Sequence, residues 1–314
     1  MSTCQNDRSN GAGTFQWLAG GTALGFRSCL LAVALLSLPA VAAADYVSTI
    51  LADNPIGYWR MADVGGGPTY LQDRVLGDWS ANFARCNPPD VVLGGAAGAI
   101  VGDADPAATF SGGQGLGTTV RFIDFPGLAD FGVNDAYTLE AWVKTTSASY
   151  QAIISKRTDN GYVGYTLGLS GGRVNMSFTG DGNANADSFT YKFGGPALND
   201  GAWHPVAVTH VAGTGAESLS LYADGSLLTD TTQYTQTVGS FGDTYVPASP
   251  LRFGVRSLEG FEFSGAIDEV AIYNTSLSAG QILAHRRAAV PQPASMVLAA
   301  GGAICVLMRK RRVV

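Results

Sequence analysis

From Tyr137 to Tyr273 the sequence keeps to one pattern, short runs rich in β-branched and aromatic residues, each closed by a turn signal. The runs are Tyr137 to Lys144, Ala152 to Lys156, Tyr165 to Leu169, Arg173 to Phe178, Trp203 to Val211, Ser218 to Ala223, Leu251 to Val255 and Gly265 to Tyr273. Asn160-Gly161 and Asp224-Gly225 are two-residue turns of the kind that close hairpins. Many short strands at regular spacing predict an all-β sandwich or barrel. Helix is expected at Ser278 to His285, where Ser278 and Gln281 form a capping box and Ile282 and Leu283 would dock on the sheets. The glycine-rich segments 94–117 and 179–201 are weakly patterned and are expected to be loops. No solenoid or propeller repeat is present, so the body is expected to form one domain.

Charge narrows the choice of partner. Residues 45–290 carry 24 Asp/Glu against 13 Lys/Arg, a difference of −11. So acidic a body repels phosphate backbones and draws divalent cations. Cys4, Cys29 and Cys305 lie in the terminal segments, leaving Cys86 alone in the body and no internal disulfide there. A domain of this size buries enough surface without one.

The two ends have the composition of addresses. Arg27, the apolar stretch Cys29 to Leu38, Pro39 and the small residues 40–44 follow the order of a secretory signal. Ala42 and Ala44 fit the cleavage site, making 1–44 a signal peptide and Asp45 the first mature residue. At the other end, residues 294–308 carry no charge and precede Arg309-Lys310-Arg311-Arg312. As a helix this stretch would span about 22 Å against a bilayer core of roughly 30 Å, a deficit that snorkelling arginines reduce. Burying four cations would cost on the order of 10 kcal/mol, so they are expected in the cytoplasm with the domain outside.

Pro291-Gln292-Pro293-Ala294-Ser295, the short apolar helix and the basic cluster resemble the PEP-CTERM sorting tail of exopolysaccharide-producing bacteria, with Gln292 in place of the usual acidic residue. The resemblance covers 290–314. It implies signal peptidase and an exosortase-type enzyme as processing partners, with Pro291 and Pro293 in the recognition motif. It also implies a precursor anchored in the inner membrane and a product at the cell surface or outside the cell.

The body, residues 45–289, is similar to the LamG-like, concanavalin A-like jelly roll. The similarity rests on Tyr58-Trp59-Arg60, Tyr137 to Lys144, Ile154-Ser155-Lys156, Trp203 to Thr209, Leu221 to Gly225, and Gly265 to Asn274 leading into the capped helix. It implies an all-β jelly-roll sandwich, and a calcium ion near Asp73 and Asp268. Hard cations take several loop oxygens, which suits both positions. The structural alternative for Asp268 is a carboxylate that caps a turn or pairs with Arg60 or Arg121.

Catalysis is not expected. Glycosidases of the family carry a Glu-x-Asp-x-x-Glu strand, absent here, and adjacent Asp268 and Glu269 should point to opposite sheet faces. His204, His210 and His285 are scattered, with no Gly-x-Ser-x-Gly elbow. Asp181, Asn183, Asn185 and Asp187 copy part of an EF-hand loop, but Ala186 and Lys192 replace its Gly and Glu, so a solvated loop is expected. Tyr191, Phe193, Tyr234, Phe241 and Tyr245 lie in polar, glycine-containing segments where aromatic faces could meet sugar, while Trp59, Trp142 and Trp203 read as core. The sequence therefore points to an exported, non-catalytic binding module for a polysaccharide or surface glycan. The alternative is a structural matrix or adhesion protein without a small ligand.

Overall fold

The computed structural model describes residues 45–61, 75, 91–112, 123–125, 127–158, 163–180, 188–237, 249–256 and 260–290. Their order is α1 (Tyr46–Ala52), β1 (Gly57–Trp59), β2 (Val91–Ala97), β3 (Pro106–Ser111), β4 (Ile123–Phe125), β5 (Tyr137–Lys144), β6 (Gln151–Arg157), β7 (Gly164–Ser170), β8 (Arg173–Gly180) and β9 (Ser188–Gly194). Then come β10 (His204–His210), a 3-10 turn (Ala216–Ser218), β11 (Leu219–Ala223), β12 (Ser226–Leu227), β13 (Thr231–Gln236), β14 (Leu251–Phe253), β15 (Ser264–Tyr273) and α2 (Ala279–Ala289).

The strands form two antiparallel sheets, an all-β sandwich. One sheet runs β12-β11-β10-β5-β15-β3-β2, with β1 also on β15, and the other runs β13-β9-β8-β7-β6-β14-β4. Between them alternate residues interdigitate, among them Leu139, Val143, Tyr165, Leu167, Met176, Val208, Phe253, Ile267 and Ile272, all buried. Trp59 belongs to this core and meets Phe253 edge-on at 5.1 Å.

The two outer faces differ. That of the β5/β15 sheet is covered by the helices, over a second cluster that includes Tyr46, Ile50, Trp142, Tyr222, Tyr273 and Ile282. The capping box forms as expected: Gln281 N donates to Ser278 Oγ and Ser278 N to Gln281 Oε1. Residues 282, 285 and 289 are the buried positions of α2. Leu283 is only partly buried, because a register of three then four residues brings His285, not Leu283, onto the sheet. Helix α1 was not expected. Its seven residues are capped by Asp45, whose Oδ1 accepts from Val47 N.

Strands also occur in both segments expected as loops. β2 and β3 occupy much of 94–117, and β9 lies within 179–201. Partner strands supply the backbone hydrogen bonds and outweigh weak local patterning. Asp224 (φ 51°) and Gly225 (φ 75°) form the tight turn between β11 and β12. A Cβ at Gly225 would come within 2.7 Å of Arg286 Cβ on α2. Asn160-Gly161 lies outside the described residues. Among those described, no helix is long and apolar enough to cross a membrane.

Candidate functional site

Two regions concentrate chemistry. The first sits on β15 where its neighbour changes: β3 pairs with Ser264 to Ile267 and β1 with Val270 to Ile272. At that change the register against β5 shifts between Asp268 and Ala271, and Glu269 takes a left-handed backbone, φ 49°. This β-bulge breaks the alternation of side chains. Asp268 and Glu269 therefore do not point apart as expected, and one oxygen from each of Asp105, Asp268 and Glu269 lies within 4.8 Å of the others.

The partners of these carboxylates are specific. Asp268 accepts from Ala99 N at 2.8 Å and Glu269 N at 2.9 Å, which is the turn-capping alternative. Arg60 pairs with Glu269 (3.0 Å), Asp105 (3.4 Å) and Asp103 (2.6 Å). Tyr58 Oη donates to Glu269 Oε2. Asp268 and Glu269 are each 1% exposed. Burial pushes both carboxyls up; the Glu269 charge adds to the rise at Asp268, and Arg60 partly offsets it at Glu269. One guanidinium thus faces three carboxylates, Asp103, Asp105 and Glu269. The donors are all oxygens, which fits a hard cation such as calcium better than a soft one.

The second region is the outer face of the β7/β8 sheet. Val174, Met176 and Phe178 face the core, so Asn175, Ser177 and Thr179 face out. Register carries this face across to Phe189, Tyr191 and Phe193 on β9 and to Thr232, Tyr234 and Gln236 on β13. Phe189 and Tyr234 lie 5.5 Å apart and Tyr191 and Phe193 5.1 Å apart, all part-exposed or exposed. Arg157 lies over the neighbouring rungs, donating to Thr166, Thr179 and Ser177. Tyr191, Phe193 and Tyr234 are thus strand residues rather than loop residues. Phe189 joins them through a pairing that no local signal announces. Phe241 and Tyr245 lie outside the described residues.

Residues 117–283 match a family model described as the concanavalin A-like lectin/glucanases superfamily. The chain belongs to that superfamily. No curated protein matches it. Similar solved structures include the binding domain of Paraclostridial Mosquitocidal Protein 1, at 13% identity and TM-score 0.47, covering 76% of this chain and 52% of that one. Another is the botulinum neurotoxin serotype D ligand binding domain in complex with N-Acetylneuraminic acid (13%, 0.45, covering 76% and 52%). A third is domain 4 of AbnA, a GH43 extracellular arabinanase from Geobacillus stearothermophilus, in complex with arabinotriose (20%, 0.39, covering 59% and 78%). The chain spans about half the length of the toxin domains it matches.

Within this superfamily fold the three histidines stay apart, and each ring nitrogen meets an acceptor. His285 lies between Glu140 and Asp53, and His204 between Asp224 and Asp200. His210 lies between the carbonyls of Asp135 and Gly213. Of the cores expected, Trp59 and Trp142 are buried, whereas Trp203 is partly buried against the helix-side cluster. Asp73, Arg121, the string 181–187, Cys86, and the processing residues Ala42, Ala44, Pro291 and Pro293 lie outside the described residues.

Proposed function

We propose that this superfamily member is an exported, non-catalytic module that binds carbohydrate through the outer face of the β7/β8 sheet. The row of part-exposed rings, Phe189, Tyr191, Phe193 and Tyr234, carries the reading. Sugars offer apolar C–H faces and a rim of hydroxyls, and this face sets aromatic rings beside hydroxyl and amide side chains. A non-catalytic role is supported by the burial of Asp268 and Glu269, which leaves no room for a glycosidic bond between them. It is supported too by histidine nitrogens already engaged with carboxylates and carbonyls.

Asp105, Asp268 and Glu269 would hold calcium, with Asp73 as the further ligand implied by family resemblance. The ion would fix the bulge rather than touch sugar. Export rests on the terminal segments: signal peptidase would cut after Ala44, and an exosortase-type enzyme would act at the Pro291-Gln292-Pro293 motif. The precursor would sit in the inner membrane and the product at the cell surface or outside it.

Glycan-array binding by the full-length chain tests the reading. Binding to a polysaccharide, weakened at least tenfold by Tyr191→Ala with Tyr234→Ala, is expected. No glycan binding, with the protein retained in the extracellular matrix, would establish the matrix-protein alternative instead. Mass spectrometry of exported protein should find Asp45 as the first residue.

A further inference from the structure

Asn175 lies in the same sheet face and has an environment that packing alone does not account for. It is fully buried, and neither Oδ1 nor Nδ2 has a hydrogen-bond partner among the described residues. A primary amide has two donors and an acceptor oxygen with two lone pairs, and leaving such a group buried and unpaired costs about 1–3 kcal/mol. On its β7 side the register partner is Gly168, where a Cβ would come within 2.3 Å of Gln151 O. The shift in β6 pairing between Ala152 and Ile154 brings that carbonyl in, so only glycine fits and the residue paired with Asn175 contributes no side chain. On its β9 side the partner is Phe193, whose ring lies 5.1 Å from that of Tyr191 at a tilt of 35°.

A second aromatic group stands beyond Gly168. Gly168 pairs with Ala152, whose N–H donates to Phe261 O. Phe261 holds a left-handed backbone, φ 67°, unusual for a bulky residue, and its ring meets Tyr150 edge-on at 4.8 Å. The Arg256 guanidinium lies over the Phe261 ring at 4.2 Å, and its buried Nε has no hydrogen-bond partner among the described residues. Burial raises the Tyr191 hydroxyl's pKa, and the charge of nearby Tyr150 adds to the rise. Rings thus stand on both sides of the Gly168–Asn175 rung.

We infer that this rung is a discrete subsite for a neutral pyranose unit, with Asn175 as its specificity-determining anchor. The inference rests on the carbohydrate-binding reading above and names the position and ligand class within it. The unmet capacity includes donors (Asn175 Nδ2, Arg256 Nε) and an acceptor (Asn175 Oδ1). A hydroxyl both donates and accepts, so a polyol satisfies the mixture, whereas a carboxylate or sulfate only accepts and leaves the amide oxygen without a donor. The flanking rings suit the C–H faces of the same unit. A net-acidic body further disfavours an anionic ligand.

The test uses the full-length chain with neutral oligomers (gluco-, xylo- and arabino-hexaose) and oligogalacturonate as the charged arm, measured by calorimetry. A neutral oligomer should bind, oligogalacturonate should bind at least tenfold more weakly, and Asn175→Leu should weaken neutral binding at least tenfold without lowering Tm. If Asn175→Leu fails to fold, the wild-type Asn175 Nδ2 resonances decide, since they should shift when the neutral oligomer is titrated in. Unchanged affinity in Asn175→Leu, an unmoved Nδ2 signal, or preference for oligogalacturonate overturns the subsite while leaving carbohydrate binding intact. Failure of all four oligomers and of the glycan array overturns both.

Discussion

His285 Nδ1 lies 2.8 Å from Glu140 Oε2 although 145 residues separate them, and His285 Nε2 lies 2.9 Å from Asp53 Oδ2. One buried imidazole thus joins α2, the central strand β5 and the C-terminal end of α1. Gln281 Nε2 completes the clamp by donating to Asp53 Oδ1, and Tyr273 on β15 stacks against the ring.

The clamp makes stability depend on pH. Burial alone would depress the imidazole pKa, but Glu140 and Asp53 outweigh it and raise the pKa. Because the folded value exceeds the unfolded one of about 6.5, the contribution is complete below pH ~6.5 and is lost as pH rises through the folded value. Thermal unfolding should show Tm falling over that range, and His285→Gln should flatten the slope. Hydrogen exchange should show 279–289 opening first at high pH.

The bulge at Asp268 and Glu269 predicts a response to calcium. At a hundredfold excess over Kd, an ion bound only by the folded chain adds about 2.7 kcal/mol. For a domain of this size each kcal/mol shifts Tm by roughly 2–4 °C. Scanning calorimetry with calcium and then chelator should show the gain and its reversal, and Asp268→Asn should abolish it.

Lys156 is a buried cation inside the sandwich, its Nζ donating to Leu128 O (2.9 Å) and Ser249 O (2.8 Å) and pairing with Asp130 (2.7 Å). Lys156→Met should cost about 3–5 kcal/mol, since it leaves a carboxylate and two carbonyls without their partner. Urea denaturation would measure the loss.

Tyr234 is 52% exposed on edge strand β13. Tyr234→Ala should change stability by less than about 0.5 kcal/mol. The same change should weaken glycan affinity about tenfold, near 1.4 kcal/mol. Melting curves and binding isotherms on one protein sample separate the two effects.

Much of the sandwich was legible in residue order. Tyr137 to Lys144 reads as a strand and is β5, and the Asp224-Gly225 turn and the Ser278–Gln281 capping box are present as read. β9 was misread because Ser188 to Gly194 mixes polar and aromatic residues, and its pairing with β8 and β13 makes it a strand. Asp268 was singled out from sequence, but its neighbours Asp105 and Glu269 were not. Strand alternation placed Glu269 on the face opposite Asp268 and ruled the two out as a catalytic pair, but that alternation holds only without a bulge.

The amino-acid order by itself determined what acts within a few residues: alternation along each strand, the φ > 0 turn, the helix cap and the acidic balance of the body. These are set by local sterics and by hydrogen bonds of short chain separation. Only the tertiary structure decided the bulge that gathers three carboxylates, the histidine clamp across three elements and the pairing that sets Phe189 beside Tyr234. Each depends on the register between distant strands, where a slip of one residue turns every side chain to the other face.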